Sequence, residues 1–384
     1  MIVYVSTQGA KVVREGRHLL VRKEGDIYHT LFIHRLEQLV LMGNVSVTPQ
    51  AMKLLLREGI DTVFLRLDGR YQGRLASAEP KNVFLRKRQF LLTDDQEFCV
   101  KMAGRIVRGK LLNQATLLQR IQRTRNIQLP GDPAHTIRNL CHKLETASNV
   151  ETIRGLEGLG ASLYFGGLTH GFTDDCGFKK RVRRPPTDPV NAVLSLLYTF
   201  IINRSYAAVR LAGLDPYPGA LHSLDYGRFS LPLDLVEEFR TIIADTLTLS
   251  LFNLGVLKQD DFYTLTPPPE VVHEPGEDLI EQALSDRIGC MSLQGGDEIF
   301  DLPEQKVEDD YRIEEERPAL PAVQLHTDAL GRVIKAFERK MATEFYHPLA
   351  ERKLTYSESL IFQARLYRKV VEGEAADYHP LLLK

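Results

Sequence analysis

The chain has only four cysteines in 384 residues, and Cys99, Cys141, Cys176 and Cys290 lie far apart with no C-x-x-C pair. That spacing argues against a disulfide framework or a zinc knuckle and fits a reducing cytoplasm. The opening MIVYVSTQGAKVVREG has no basic stretch followed by an apolar one, so no signal peptide is expected. The longest uncharged apolar run, Pro189 to Asn203, falls short of the ~18 residues of a membrane span. Internal repeats are absent. With 43% hydrophobic and 26% charged residues, wholly disordered, collagen-like and low-complexity chains are excluded. At about 150 residues per domain the length allows two or three domains.

An excess of either charge is also missing, since the net charge is −1. The balance hides a split. Residues 256–321 hold 18 Asp and Glu against 5 Lys and Arg, a net of −13, which leaves the other 318 residues at +12. Residues 81–125 carry 11 basic and 3 acidic side chains, and 179–184 read KKRVRR. A basic body with one acidic segment points to a polyanion partner such as nucleic acid.

The first 75 residues read mostly as strands: MIVYVS, LLVRKE, IYHTLFI and LEQLVLMG are short, β-branched or alternating runs. TVFLRL-DG-RYQGRL predicts a hairpin turning tightly at Asp68-Gly69. One helix interrupts, with Thr48 as cap, Pro49 at its first position and Gly59 beyond its end. From about Asn82 the apolar period becomes helical. Helices are predicted over 82–125 and near 134–149, 150–165, 189–211, 232–254, 326–344 and 355–373, with almost no strand-like alternation. The fold class is therefore α+β, a small β-rich N-terminal domain over 1–80 and a larger, predominantly α-helical domain over 81–384. Residues 256–321 interrupt the second domain. Seven prolines and blocks of like charge predict a flexible acidic insertion there. A fold-back onto the basic surface is the other reading of its charge.

Three elements carry residues suited to chemistry. In IRGLEGLGASLYFGGL, Glu157 sits among Gly155, Gly158 and Gly160. Each glycine costs up to ~1 kcal/mol in a helix, so the three predict close approach of another backbone or a ligand. In AGLDPYPGALHS, a turn made by Asp215-Pro216 and Pro218-Gly219 presents His222. In SLPLDLVEEFRTIIAD, Asp234 and Glu237 share a helix face that Arg240 continues, and Asp245 follows. Each alone is weak. Together, carboxylates plus one imidazole suit Mg²⁺ or Mn²⁺ better than a thiolate-selecting Zn²⁺ site. His170, Asp174, Asp175 and Cys176 in THGFTDDC also look like a metal cluster, but no helical period converges them, and the segment is expected to be a loop.

In order, NVFLRKRQ, LEGLGASLYF, RRPPTDPVNAVLSLLYTF, AGLDPYPGALH and LDLVEEFR resemble the CRISPR-associated endonuclease and integrase family, Cas-one. The last helices, from AFERKMATEFYHP to RKVVEGEAADYHP, are also similar to that family. The resemblance covers nearly the whole chain except 256–321. It implies a β-rich N-terminal domain, serving dimerisation and partner contact, before a helical catalytic domain. It also implies that Glu157, His222 and Glu237 ligate Mg²⁺ or Mn²⁺, with Asp234 a ligand or a support for one. Thr241 stands where the family often has proline. The implied activity is insertion of spacer DNA into a CRISPR array by 3′-hydroxyl attack on a phosphodiester. The implied partners are double-stranded DNA, a second copy of the chain and the small protein Cas-two, with no membrane. Arg86, Arg88, Lys110, Lys179, Lys180, Arg181, Arg183 and Arg184 are expected to contact phosphates. Two other readings stay open: a nuclease of the same family acting in DNA repair or a mobile element, and a non-catalytic DNA-binding scaffold.

Overall fold

Short apolar runs form the N-terminal strands, and the two-residue period of a strand sorts their side chains between two cores. The computed structural model describes residues 1–67, 69–75, 82–182, 185–265 and 321–383. One sheet is ordered β1-β5-β7-β8 (Ile2–Val5, Gln38–Met42, Asp61–Leu65, Tyr71–Leu75), with β1, β5 and β7 parallel and β8 antiparallel to β7. The crossover between β5 and β7 contains β6 (Ser46–Val47) and α1 (Pro49–Arg57). Along β5, Leu39 and Leu41 face a small core formed with Val12, Leu19, Leu54 and Leu55. Val40 and Met42 face the opposite way, into the large core built by the helices. A period of two thus gives one buried strand two cores. The second sheet, ordered β4-β3-β2-β6, adds β2 (Lys11–Glu15), β3 (His18–Lys23) and β4 (Asp26–Phe32).

Thr48 caps α1 as its sequence predicts, its hydroxyl accepting from the Ala51 N–H at 3.3 Å. The two strands of the predicted hairpin pair, while Asp68 of its predicted turn lies outside the described residues. Strand pairing ends at Leu65 and Tyr71, and within the connection the Gly69 N–H donates to the Arg66 carbonyl at 3.0 Å. β2 was not distinguished in the sequence, where its KVVRE run offers little alternation.

The helical part begins with α2 (Val83–Thr93) and the 30-residue α3 (Gln96–Arg125). The helical spacing predicted over 82–125 is carried by two helices that part at Asp94-Asp95. There the Asp95 carboxylate accepts from the Glu97 and Phe98 N–H groups and starts a new helix. α4 (Pro133–Leu144), α5 (Val150–Leu168), α6 (Pro189–Leu211), α7 (Ser230–Phe239) and α8 (Thr246–Asn253) follow. A π-helical turn over Arg240–Asp245 joins α7 to α8. α9 (Thr327–Met341) and α10 (Tyr356–Glu372) are the last helices among the described residues. The expectation that strands are nearly absent from this part needs correction. β9 (Phe262–Leu265) with β10 (Ala322–Leu325), and β11 (Glu344–His347) with β12 (Arg352–Thr355), form two small sheets. Their four-residue strands are too short for a periodic signal.

α6 passes the length and composition test for a membrane span, yet 72% of its apolar window is buried. It is a core helix, capped by Asp188, whose carboxylate accepts from the Asn191 N–H at 2.8 Å. The acidic insertion lies outside the described residues except at its ends. Residues 1–264 and 322–384 form one compact unit, and 265–321 are grouped separately.

Candidate active site

α3 is the spine of the site. Its buried face runs through Ile106, Lys110, Asn113 and Leu117, so a lysine falls where the helical period calls for an apolar residue. Lys110 is only 8% exposed at its side chain. Its ammonium ion-pairs with Glu157 Oε1 on α5 and lies 2.6 Å from Glu237 Oε2 on α7. Two of the carboxylates singled out in the sequence therefore meet at one cation. Lys110 was expected on the DNA-contacting surface, and its burial corrects that expectation.

α5 reaches this position by packing closely on α3. A Cβ at Gly160 would come within 2.2 Å of Leu111 Cδ2, so any larger residue would have to push the Leu111 side chain aside. Gly155 and Gly158 face open space, and the close approach read from all three glycines holds at Gly160 alone. Glu157 remains 25% exposed at its side chain, against 5% for Glu237.

The His222 turn is held from several sides. Arg86 on α2 pairs with the Asp215 carboxylate at 2.6 and 2.8 Å, and Gln89 exchanges hydrogen bonds with the Asp215 backbone. Arg154, one turn before Glu157 on α5, donates Nε–H to the Leu221 carbonyl at 2.7 Å. Asp234 is fully buried on α7 and accepts from the backbone N–H groups of Ala220, Leu221 and His222 at 2.6–2.9 Å. Its Oδ1 also lies 2.7 Å from His222 Nδ1. Gly219 is required here, because a Cβ would come within 2.8 Å of Asp234 Oδ2 and of Ser230. With Nδ1 facing Asp234, the other ring nitrogen of His222 is the one left to act as an acceptor or ligand.

Burial pushes the Glu237 carboxyl up, but Arg240, Lys110 and His222 outweigh it and hold it well below the ordinary carboxylate range. Arg240 contributes an Nε–H donated to Glu237 Oε1 at 3.1 Å, and its guanidinium lies 4.7 Å from the Tyr198 ring centroid. Burial also pulls the Lys110 ammonium toward losing its proton, and Glu237 and Glu157 outweigh it, raising its pKa. Glu238, the next residue, is raised to about 7 by burial, against hydrogen bonds from Gln363, Tyr378 and the Leu381 N–H that favour the charged form. Asp245 is also raised by burial and accepts from Tyr164 and Tyr198, which commits it to bracing α5 and α6.

Among the described residues no three His, Cys, Asp or Glu side chains close around one point. The place between Glu157 and Glu237 is taken by Lys110. The donor set nonetheless fits a hard divalent cation. Two charged-type oxygens already share one positive group, and Glu237 Oε2 has no hydrogen bond of good geometry beyond that ion pair. A neighbouring imidazole is oriented by a buried carboxylate. The THGFTDDC segment forms a short 3-10 turn over Thr169–Gly171 followed by loop, and it gathers no ligand set.

The expected phosphate-binding residues divide. Lys179, Lys180 and Arg88 are exposed. Arg86 is committed to Asp215, so it pins the His222 turn instead of facing solvent with a free charge. Arg181 turns inward and donates to the Val182 carbonyl, Asn191 Oδ1 and Ser195 Oγ. Arg183 and Arg184 lie outside the described residues. Elsewhere in the basic 81–125 stretch, Lys101 donates to the Ala376 carbonyl at 2.7 Å and Arg105 pairs with Asp377, both on the C-terminal tail.

Comparison with known proteins gives this arrangement a context. The family model described as CRISPR associated protein Cas1 matches residues 3–273. A CRISPR-associated endonuclease Cas1 of Rhodospirillum rubrum is 35% identical over 274 residues, covering 68% of this chain and 79% of the relative. One from Thermus thermophilus is 29% identical over 385 residues, covering 100% of this chain and 97% of the relative. Among solved structures, one titled a Cas6-RT-Cas1–Cas2 complex has a TM-score of 0.76 at 21% identity; it covers 100% of this chain, which spans 36% of the length of that one. The same order of strand-rich and helical regions, with 271 of 384 residues under one family model, makes this chain a member of the Cas1 family of CRISPR-associated endonucleases.

Proposed function

We propose that this chain is a Mg²⁺- or Mn²⁺-dependent DNA endonuclease and integrase that joins a DNA 3′-hydroxyl to a backbone phosphodiester of a CRISPR array. The observation that carries the reading is the meeting of Glu157 and Glu237 at one cation beside a His222 ring oriented by Asp234. Glu157, Glu237 and His222 would hold the metal. When bound, Mg²⁺ or Mn²⁺ neutralises charge on the non-bridging phosphate oxygens and orients the reacting groups.

The chain's own residues have separable tasks. Asp234 accepts from His222 Nδ1–H and fixes the ring, so that Nε2 keeps its lone pair. The three backbone donors to Asp234 satisfy its buried charge and hold it away from the metal-binding role, which leaves it a positioning residue. Arg240 holds Glu237 ionised and fixes one of its oxygens. Exposed Lys179, Lys180 and Arg88 grip backbone phosphates on either side, giving register without base readout.

The partners follow from family membership: double-stranded DNA as donor and target, a second copy of this chain, and the small Cas2 protein. The strand-rich segment 1–80 would provide the dimerisation and partner side, and the helical remainder the catalytic domain. β4 is an edge strand of its sheet with Ile27, Tyr28 and Phe32 exposed, which supports an assembly role for that side.

A plasmid integration assay tests the reading. A short duplex with free 3′-hydroxyls is incubated with Mn²⁺, this chain and its Cas2 partner, together with a supercoiled plasmid carrying the repeat array. Joined products are expected with 3′-hydroxyl ends and none with 3′-dideoxy ends. Cleavage of branched or flap DNA without joining, at equal rates with either end, would support the repair-nuclease reading instead. Binding without either reaction would support the scaffold.

A further inference from the structure

Lys110 is the feature of the site that the ligand set does not use. A lysine on the buried face of a core helix is costly unless its charge is matched, and here two carboxylates match it. Those carboxylates come from different helices, α5 and α7, and α3 brings the cation to both. Two anionic side chains held this close repel each other unless something positive lies between them. The protein supplies that positive group itself, at the place where a metal ligated by Glu157 and Glu237 would bind.

Resting on the metal-site reading above, we infer that Lys110 is a built-in counter-cation that competes with the divalent metal for Glu157 and Glu237. Without metal, its ammonium keeps the two carboxylates paired and the α3–α5–α7 packing intact. To admit a metal, Lys110 must give up both ion pairs. The exchange has two consequences. Metal affinity is weaker than the ligand set alone would give, because each binding event breaks two buried ion pairs. The metal-free protein keeps its fold, because its carboxylates are never left facing each other alone.

The roles of neighbouring cations support this division. Arg240 holds the other oxygen of Glu237 and stacks on Tyr198, so it remains in place when Lys110 leaves. Lys110, by contrast, is a flexible chain with one charged end, bonded among the described residues only to the two candidate ligands. A compact ammonium on a flexible stem suits a displaceable plug better than a planar, stacked guanidinium does.

The test compares wild type, Lys110→Met, Lys110→Gln, Glu157→Gln and His222→Ala. The readouts are Mn²⁺ binding followed by electron paramagnetic resonance and thermal unfolding with EDTA or Mn²⁺. The two Lys110 variants should bind Mn²⁺ about tenfold or more tightly than wild type, within the usual span of coupling between two linked binding events. They should melt lower than wild type in EDTA and gain more from Mn²⁺ than wild type does. Lys110 variants that fold only with Mn²⁺ would give the same answer, since metal then replaces the ammonium. Unchanged or weaker Mn²⁺ binding in the Lys110 variants, or failure to fold even with Mn²⁺, would overturn the inference. The controls separate it from the reading beneath it. Loss of Mn²⁺ binding in Glu157→Gln and His222→Ala, with no gain in the Lys110 variants, would leave the metal site standing and remove the competition. Equal Mn²⁺ binding in all five proteins would remove the metal site itself.

Discussion

Glu237 and Glu238 are neighbours in sequence, both buried on α7, yet their carboxyls are driven in opposite directions. Glu237 faces α3 and α5, where Lys110 and Arg240 surround it with positive charge and outweigh its burial. Glu238 faces the C-terminal tail and among the described residues meets only neutral donors, Gln363, Tyr378 and the Leu381 N–H, so burial wins and raises it to about 7. The difference separates two uses of a buried acid. One side of α7 keeps a charged carboxylate ready for a cation. The other side ties down the end of the chain, helped by Asn113, which donates to both the Glu238 and Leu381 carbonyls at 2.9 Å.

The largest expected effect lies on the charged side. Glu237→Ala, Glu157→Ala and His222→Ala should each lower strand transfer by about 10²- to 10³-fold or more, the scale of losing a group that offsets charge in the transition state. DNA affinity should change little, because Lys179 and Lys180 are untouched. Gel-based joining assays alongside filter binding would check this. Near-full joining by Glu157→Ala would break the assignment.

The second effect contrasts the two acids by pH. In the unfolded chain Glu238 loses its proton near 4.5, whereas in the folded protein it holds it to about 7. Between those values the folded state binds more protons, so the contribution of Glu238 is fully present below 4.5 and lost as pH rises through about 7. The span is worth about 3 kcal/mol. Glu237 has the opposite sign: its stabilisation is present above 4.5 and lost as pH falls through its lowered pKa. Urea denaturation of Glu238→Gln between pH 5 and 8.5 should show a flatter profile than wild type. Superimposable profiles would mean that Glu238 titrates normally.

A smaller loss is expected at Asp234, which acts through His222. Asp234→Asn keeps the shape but not the charge that fixes the imidazole, and should reduce metal affinity or joining by about 10- to 100-fold. Losses as deep as those of His222→Ala would give Asp234 a direct role as ligand. The smallest effect belongs to the surface cations. Lys179→Ala with Lys180→Ala should flatten the salt dependence of duplex binding by up to about 0.9 in log–log slope per lost contact. A change confined to one DNA sequence would point to base readout.

Local chemistry made part of this structure legible from residues alone. Thr48-Pro49 reads as a helix start because a capping oxygen and a preset φ act within four residues. The strand that buries one face on each core, β5, stands out as a short apolar run, LVLM. What stayed hidden depends on partners far away in sequence. Lys110 belonged to a basic run, and only its helical phase with Ile106, Asn113 and Leu117 marked it as buried. Arg86 looked like a phosphate contact because its partner, Asp215, comes 129 residues later. The tail lock on Glu238 joins α7 to residues beyond 360, and no local pattern encodes such a pairing. Among the candidate ligands, the residue types were readable in the sequence. Their meeting at a lysine was not.

Anomalous diffraction from a crystal of this chain grown with Mn²⁺ would locate the metal and show what Lys110 does when it binds. One strong manganese peak per chain is expected in contact with Glu157, Glu237 and His222, with the Lys110 ammonium withdrawn from both carboxylates. A manganese peak bound elsewhere, or carboxylates still paired to Lys110 at saturating Mn²⁺, would contradict it.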